Sequence, residues 1–363
     1  MFLKSIGNFR GLAIIMIVAG HLYITGFTST GYSSAVIKNI ITGGTALFVF
    51  ISGFMFHYVF YKRYEYKKFI SGKVKNVGIP YLILGSMAIF MSFLLSRDYF
   101  APIRTLTIEK YNLLYGKGII FNPEDSDIAT TIKYYITGGF LGAYWYIPFA
   151  MLLFASAPLH IKFIKLDLRY QLLIISLLSI ISLFSHRAIN CLNPLQDLLY
   201  FTPVYLIGAL VSMYSSEVKN YLNNKVGLLF FMVLLTSTIE YLSGHSGNYH
   251  KQIFVYAGVD LMYIQKFFLI FALYMFFEKN QFESKLLDTI SNTSFAIFFI
   301  HPWVTLVLEK IYNILDIYPK IGENNMLLYC TSVIVVVGLS VLIALTTKKL
   351  FRDSKKTRYL IGY

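Results

Sequence analysis

Arg10 and His21 stand eleven residues apart in a stretch that is otherwise mostly apolar. At 3.6 residues per turn this is close to three turns, so a helix puts both on one face, roughly 16 Å apart along its axis. Arginine is a permanently charged fork suited to phosphate. Imidazole is the side chain that takes and returns a proton near neutral pH. Plainer readings stand beside these: Arg10 as an interfacial residue reaching lipid phosphates, and His21 as a hydrogen-bond partner of a neighbouring helix. A second histidine in an apolar run, His301, precedes Pro302. The proline leaves the Phe298 carbonyl without its helical partner and predicts a kink. His301 reads equally as a functional-site residue and as a satisfied core histidine. Ser52-Gly53 reads as a close helix contact before it reads as a nucleophile. Trp145, between Tyr144 and Tyr146, reads as an aromatic belt or as a platform for a sugar ring. His57 is expected at the interface, and Glu240, Asp260 and Glu309 at solvated span ends.

The elements that must position these groups follow from composition. Of 363 residues, 56% are hydrophobic, 17% aromatic and only 14% charged, with mean hydropathy +0.61. Soluble domains carry about 25% charged residues, so a soluble enzyme is excluded. The aromatic content and the lack of a Gly or Pro repeat exclude a disordered or fibrous chain. The expectation is an all-α polytopic bundle, each span needing roughly 20 mostly apolar residues. Apolar runs between polar breaks place ten spans, at 6–27, 42–61, 77–96, 139–158, 170–185, 197–214, 226–242, 259–277, 292–310 and 326–347. Residues 1–347 then form one membrane core, and 348–363 a basic tail.

The net charge of +14 reflects 32 Lys and Arg residues scattered between apolar runs, which predicts topology rather than nucleic-acid binding. Segment 62–76 holds Lys62, Arg63, Lys67, Lys68, Lys73 and Lys75, and the tail holds six more cations. With both termini cytoplasmic, the inner segments carry 20 Lys and Arg against 10 outside. The connection 97–138, with Glu124, Asp125 and Asp127, then lies outside as a surface loop or a lid over an acceptor site. The early apolar stretch contains His21 and lacks a convincing cleavage site, so it is the first span rather than a signal peptide. Cys191 and Cys330 show no metal-ligand spacing, and neither a disulfide nor a metal site is expected.

Several segments together resemble the acyltransferase family 3 membrane proteins. Asn8-Phe9-Arg10-Gly11-Leu12-Ala13, followed by an apolar stretch to His21, is similar to the family's opening, an Arg and a His with ten residues between. The run Leu47 to Phe54, ending in Ser52-Gly53-Phe54, resembles the family's second span. Ile79-Pro80-Tyr81 resembles the Pro-Tyr opening the third span, and Ser294 to Pro302 the late serine, aromatic and histidine segment. Tyr144-Trp145-Tyr146 is a weaker match. The family often has Asp where Asn8 stands, and Arg where Lys73 and Asn76 stand.

The resemblance implies a ten-span integral membrane O-acyltransferase. The acyl group, usually acetyl from cytoplasmic acetyl-CoA as donor substrate, would pass to a hydroxyl of a carbohydrate or lipid-linked glycan. No bound cofactor is expected. Arg10 with Lys73 and Lys75 would form a basic cytoplasmic mouth for the polyanionic donor. His21 would act as general base or carry the acyl group covalently, with His301, Trp145 and Ser52 on the acceptor side. With no domain expected beyond the tenth span, direct modification of a glycan or its precursor is favoured over a relay. Lys outnumbers Arg 24 to 8, a composition common in bacterial surface-polysaccharide loci, so O-antigen or capsule acetylation at the inner membrane is the expected setting. The main alternative is a transporter or flippase for lipid-linked sugars, although neither internal symmetry nor paired midplane charges are visible. A scaffold without catalysis would not require Arg10 and His21 on one face.

Overall fold

The computed structural model describes residues 3–27, 31–94, 120–121, 125–317, 325–352 and 355–363. The described residues form an all-α polytopic bundle, with an isolated bridge between Arg187 and His250. Seven helices among them are long and apolar enough to cross a membrane, and up to nine if each of two bent pairs counts as one span. One bent pair joins Asp127–Thr137 to Gly142–Ala155 at 76°, the other Ser215–Leu222 to Val226–Leu242 at 80°. The helix Lys4–His21 stands outside that count, because Lys4, Asn8, Arg10 and His21 dilute its hydropathy.

Position compensates for this polarity. Lys4–His21 packs against the helices Thr45–Met55, Leu261–Lys279, Ser294–Ile314 and Met326–Leu350, inside the bundle. The uniformly apolar helices Leu168–Ser185 and Met326–Leu350 bury little of their surface, as expected of lipid-facing positions. The two ends of the bundle differ. One, the basic face, carries Lys4, segment 62–76 and the tail. The other, the far face, gathers segments 22–44, 138–145, 186–193 and 243–260.

Segment 62–76 is not a loop. Tyr66–Lys73 is helical and continues through one π-helical turn, Val74–Gly78, into Ile79–Leu94. Pro80 has no N–H to donate, and the wider turn just before it is a way to continue the chain through that gap. The second span also starts earlier than apolar content indicates. Tyr32–Ile41 is helical, and the chain turns at Gly43, φ +75°, before Thr45–Met55. Most of connection 97–138, including Glu124, lies outside the described residues. Within the described part, Asp125 accepts from Lys133 at 2.7 Å and Ser126 caps Asp127–Thr137.

Ser52-Gly53 fulfils the packing expectation. A Cβ at Gly53 would overlap the Tyr205 carbonyl, and one at Gly208 the Phe50 carbonyl, so these glycines let two helices meet backbone to backbone. Glu240 and Asp260, expected at solvated ends, are both fully buried. Asp260 caps its helix at Tyr263 N, 2.9 Å, and accepts from the Tyr200 hydroxyl at 2.9 Å. Half-buried Glu309 and His57 stay closer to expectation, His57 Nδ1 lying 2.9 Å from Ser212 Oγ. Both cysteines are free.

The tail is folded back rather than extended. Lys348 and Lys349 complete the last long helix, and Lys355–Ile361 packs against Ile79–Leu94 and Ser294–Ile314. Gly362, φ +75°, sits against the rings of Phe299 and Phe295, and the Lys348 ammonium lies 3.1 Å from the Tyr363 hydroxyl.

Candidate active site

Two cavities enter the bundle from opposite ends. The basic-face cavity, about 490 Å³, has Arg63, Lys68, Lys73 and Arg358 on its walls, with Glu65 as counter-charge. Arg63, Lys68 and Arg358 are exposed at its rim. Lys73 is set deeper, its ammonium 4.3 Å from the Phe154 ring centroid and 5.3 Å from that of Phe69. Asn76, Phe295 and Ser52 complete the inner wall. Such a cavity suits an extended polyanion with a less polar arm.

The far-face cavity, about 250 Å³, is lined by His21, Trp145, Arg187, Asn190, Asn248 and His250, beside the Thr42–Gly43–Gly44 turn. His21 ends its helix here and is exposed to the cavity. Trp145 is nearly buried, so it faces inward rather than belonging to a lipid-facing belt. The Arg187 guanidinium lies 4.9 Å above its ring centroid and 5.5 Å from that of Phe201, and donates to Asn248 Oδ1 and Cys191 Sγ. Arg187 also lies within electrostatic range of His21. Burial, aided by Arg187, lowers His250 to about 4, so it is neutral at pH 7, its Nδ1 on the Ala188 carbonyl. Burial raises the Cys191 thiol to about 12, which favours the thiol over the nucleophilic thiolate. The cavity edge is braced from behind: Lys266 donates to the carbonyls of Asn39 and Ile40 at 2.9 and 2.8 Å, and Asn39 receives Gly247 N–H at 2.7 Å.

Between the cavities stand two histidines. The His21 and His301 rings are 5.4 Å apart, tilted by 45°. His301 is fully buried and does not line the far-face cavity; it stands behind His21, which does. Its Nδ1 is 2.9 Å from the Ile297 carbonyl. A carbonyl only accepts, so Nδ1 carries the proton and Nε2 a lone pair. That Nε2 has no hydrogen-bond partner among the described residues. An aromatic column connects the pair to the basic-face cavity: Phe298 lies 6.2 Å from His301 and 5.4 Å from Tyr146, whose hydroxyl bonds Ser52.

The sequence-predicted residues therefore separate into groups. His21 and Trp145 share the far-face cavity, with His301 directly behind His21. Ser52 faces the basic-face cavity with Lys73, away from Trp145. Lys75 is exposed and outside that cavity, because residues two apart on a helix do not share a face. Arg10 lines neither cavity. Its Nε donates to Ser291 Oγ at 3.3 Å, four residues before the cavity-lining Phe295. Sequence reasoning missed Arg187, Asn248 and His250. The density of His, Asn and Tyr in 243–251 was the available signal. It also missed Arg63, Lys68 and Arg358 as cavity residues.

Neither the curated proteins nor the solved structures contain a match to this chain. The family described as an acyltransferase domain, acyltransferase family 3, matches residues 3–345. That match takes in both histidines, the aromatic column and most of both cavity walls, and the chain is thus a multi-pass membrane acyltransferase belonging to acyltransferase family 3.

Proposed function

We propose that this acyltransferase moves an acetyl group from acetyl-CoA, bound in the basic-face cavity, to a hydroxyl of a carbohydrate or lipid-linked glycan in the far-face cavity. The observation that carries the reading is the His21–His301 pair: His21 is exposed to one cavity, and His301, buried behind it, is joined by the Ser52–Tyr146–Phe298 column to the other. The basic face is then cytoplasmic with both termini, as the charge asymmetry favours, and the setting is a bacterial inner membrane making O-antigen or capsule.

In this reading the nucleotide of the donor lies among the cavity cations, and its arm runs along the column past Phe298. His301, held by Ile297, keeps an unpartnered Nε2 lone pair behind His21; as His21 turns to the acceptor, one of its nitrogens would donate to that lone pair and leave the other free as a base. That nitrogen removes the acceptor proton while the oxygen attacks the thioester carbonyl. The tetrahedral intermediate breaks its C–S bond, and the thiolate leaves with the proton held by His21, giving ester and CoA thiol. Trp145 offers a face to a sugar ring, and Asn190, Asn248 and His250 offer polar partners to its hydroxyls. Arg10 braces the Ser291 end of the donor cavity.

The test is purified protein in lipid nanodiscs with acetyl-CoA and isolated glycan. Thiol release together with acetyl ester on the glycan is expected. Glycan movement between leaflets without thiol release would establish a flippase instead.

A further inference from the structure

Resting on the reading of the basic-face cavity as the donor site, we propose that the folded-back tail completes it, Arg358 binding the terminal phosphomonoester of the donor nucleotide. Arg358 lies beyond residue 345, where the family match ends, yet it lines this cavity together with Gly362. The tail is held in place by several independent contacts. Thr357 and Ile361 are buried, Gly362 rests on Phe299 and Phe295, and Arg358 Nε is 3.3 Å from the Tyr363 carbonyl.

The order of charges along the cavity decides which phosphate each cation meets. A nucleotide thioester must point its sulfur toward the histidines, so its nucleotide stays at the mouth. Lys73, the deep cation against Phe154, then lies beside the pyrophosphate, which joins nucleotide to arm. The rim cations Arg63, Lys68 and Arg358 are left for the phosphate on the ribose. A phosphomonoester carries about −1.5 to −2 charge at pH 7, and an arginine fork is suited to it.

The experiment compares binding of acetyl-CoA and acetyl-3′-dephospho-CoA to the full-length protein and to Arg358→Gln, which removes the charge but keeps a donor for Tyr363. Wild type should prefer acetyl-CoA. Arg358→Gln should lose about tenfold in affinity for it, as for a charge-assisted hydrogen bond, and bind the dephospho compound as wild type does. Arg358→Lys should recover part of the preference. Equal losses for both compounds would make the tail a structural brace only, and no loss for either would remove Arg358 from the site. Both results overturn the inference while leaving the donor cavity standing. Wild-type protein that binds neither compound would overturn the donor reading itself.

Discussion

His21 and His301 come from the first helix and from one near the end of the chain, yet their rings stand 5.4 Å apart. One is open to the far-face cavity and the other is fully buried behind it, its Nδ1 committed to Ile297. In the proposed mechanism two histidines so arranged have different tasks: the exposed ring exchanges protons with a substrate, and the buried ring sets its orientation.

Replacing His21 with Ala should therefore leave the protein inserted and able to bind donor while lowering turnover by about 10²–10⁴-fold. Replacing His301 with Ala should cost less and change the shape of the pH–rate profile, since His21 then loses its partner. Steady-state rates and donor binding on both variants check this. A His21→Ala protein of wild-type activity moves the base elsewhere.

Arg187 holds Trp145 and Asn248 at the wall of the far-face cavity, the proposed acceptor site. Arg187→Lys keeps a charge but loses the planar fork. Its acceptor KM should rise while donor affinity stays unchanged, measured by glycan titration at saturating acetyl-CoA. A change confined to donor affinity would place Arg187 on the wrong substrate.

Arg10 donates to Ser291, which in the proposed reading braces the donor end. Arg10→Ala should weaken acetyl-CoA binding, and Arg10→Lys should restore only part. If equilibrium binding is untouched while turnover disappears, Arg10 acts on chemistry and not on the donor.

Topology can be read with an impermeant maleimide on intact cells after replacing exposed Cys330 with Ala, buried Cys191 being kept. A cysteine at Phe254, almost wholly exposed on the far face, should label. One at Lys67 should label only after permeabilisation. The reverse pattern inverts the orientation.

The far-face loops should loosen in acid. His186, His245 and His250 are all lowered, chiefly by burial, His250 from 6.5 to about 4. Opening such a loop releases a histidine that binds a proton more readily, so the closed form gains stability as pH rises and is fully favoured above about 6.5. It is lost as pH falls from 6.5 toward 4. Hydrogen exchange across 186–193 and 243–251 should accelerate over that window, and a flat profile would remove the three histidines as its cause.

Membrane class, helical architecture and the two polar positions on the first helix were legible in the sequence, because an apolar run of helical length has one stable form in lipid and a histidine inside it is conspicuous there. Local pattern also identified Gly53 as a contact residue. Other features depended on which elements meet. Ser52 went to the basic-face cavity and Trp145 to the far one through the packing of their helices against others, which hydropathy does not specify. Arg187 became a buried cavity residue because two loops distant in sequence, 186–193 and 243–251, close over it. The tail looked like a solvated basic segment, yet it forms cavity wall, because its few apolar residues find a surface only after the bundle assembles. Spacing along one chain could place Arg10 and His21 on a face, but only packing between distant helices could put His301 behind His21 and leave Arg10 outside both cavities.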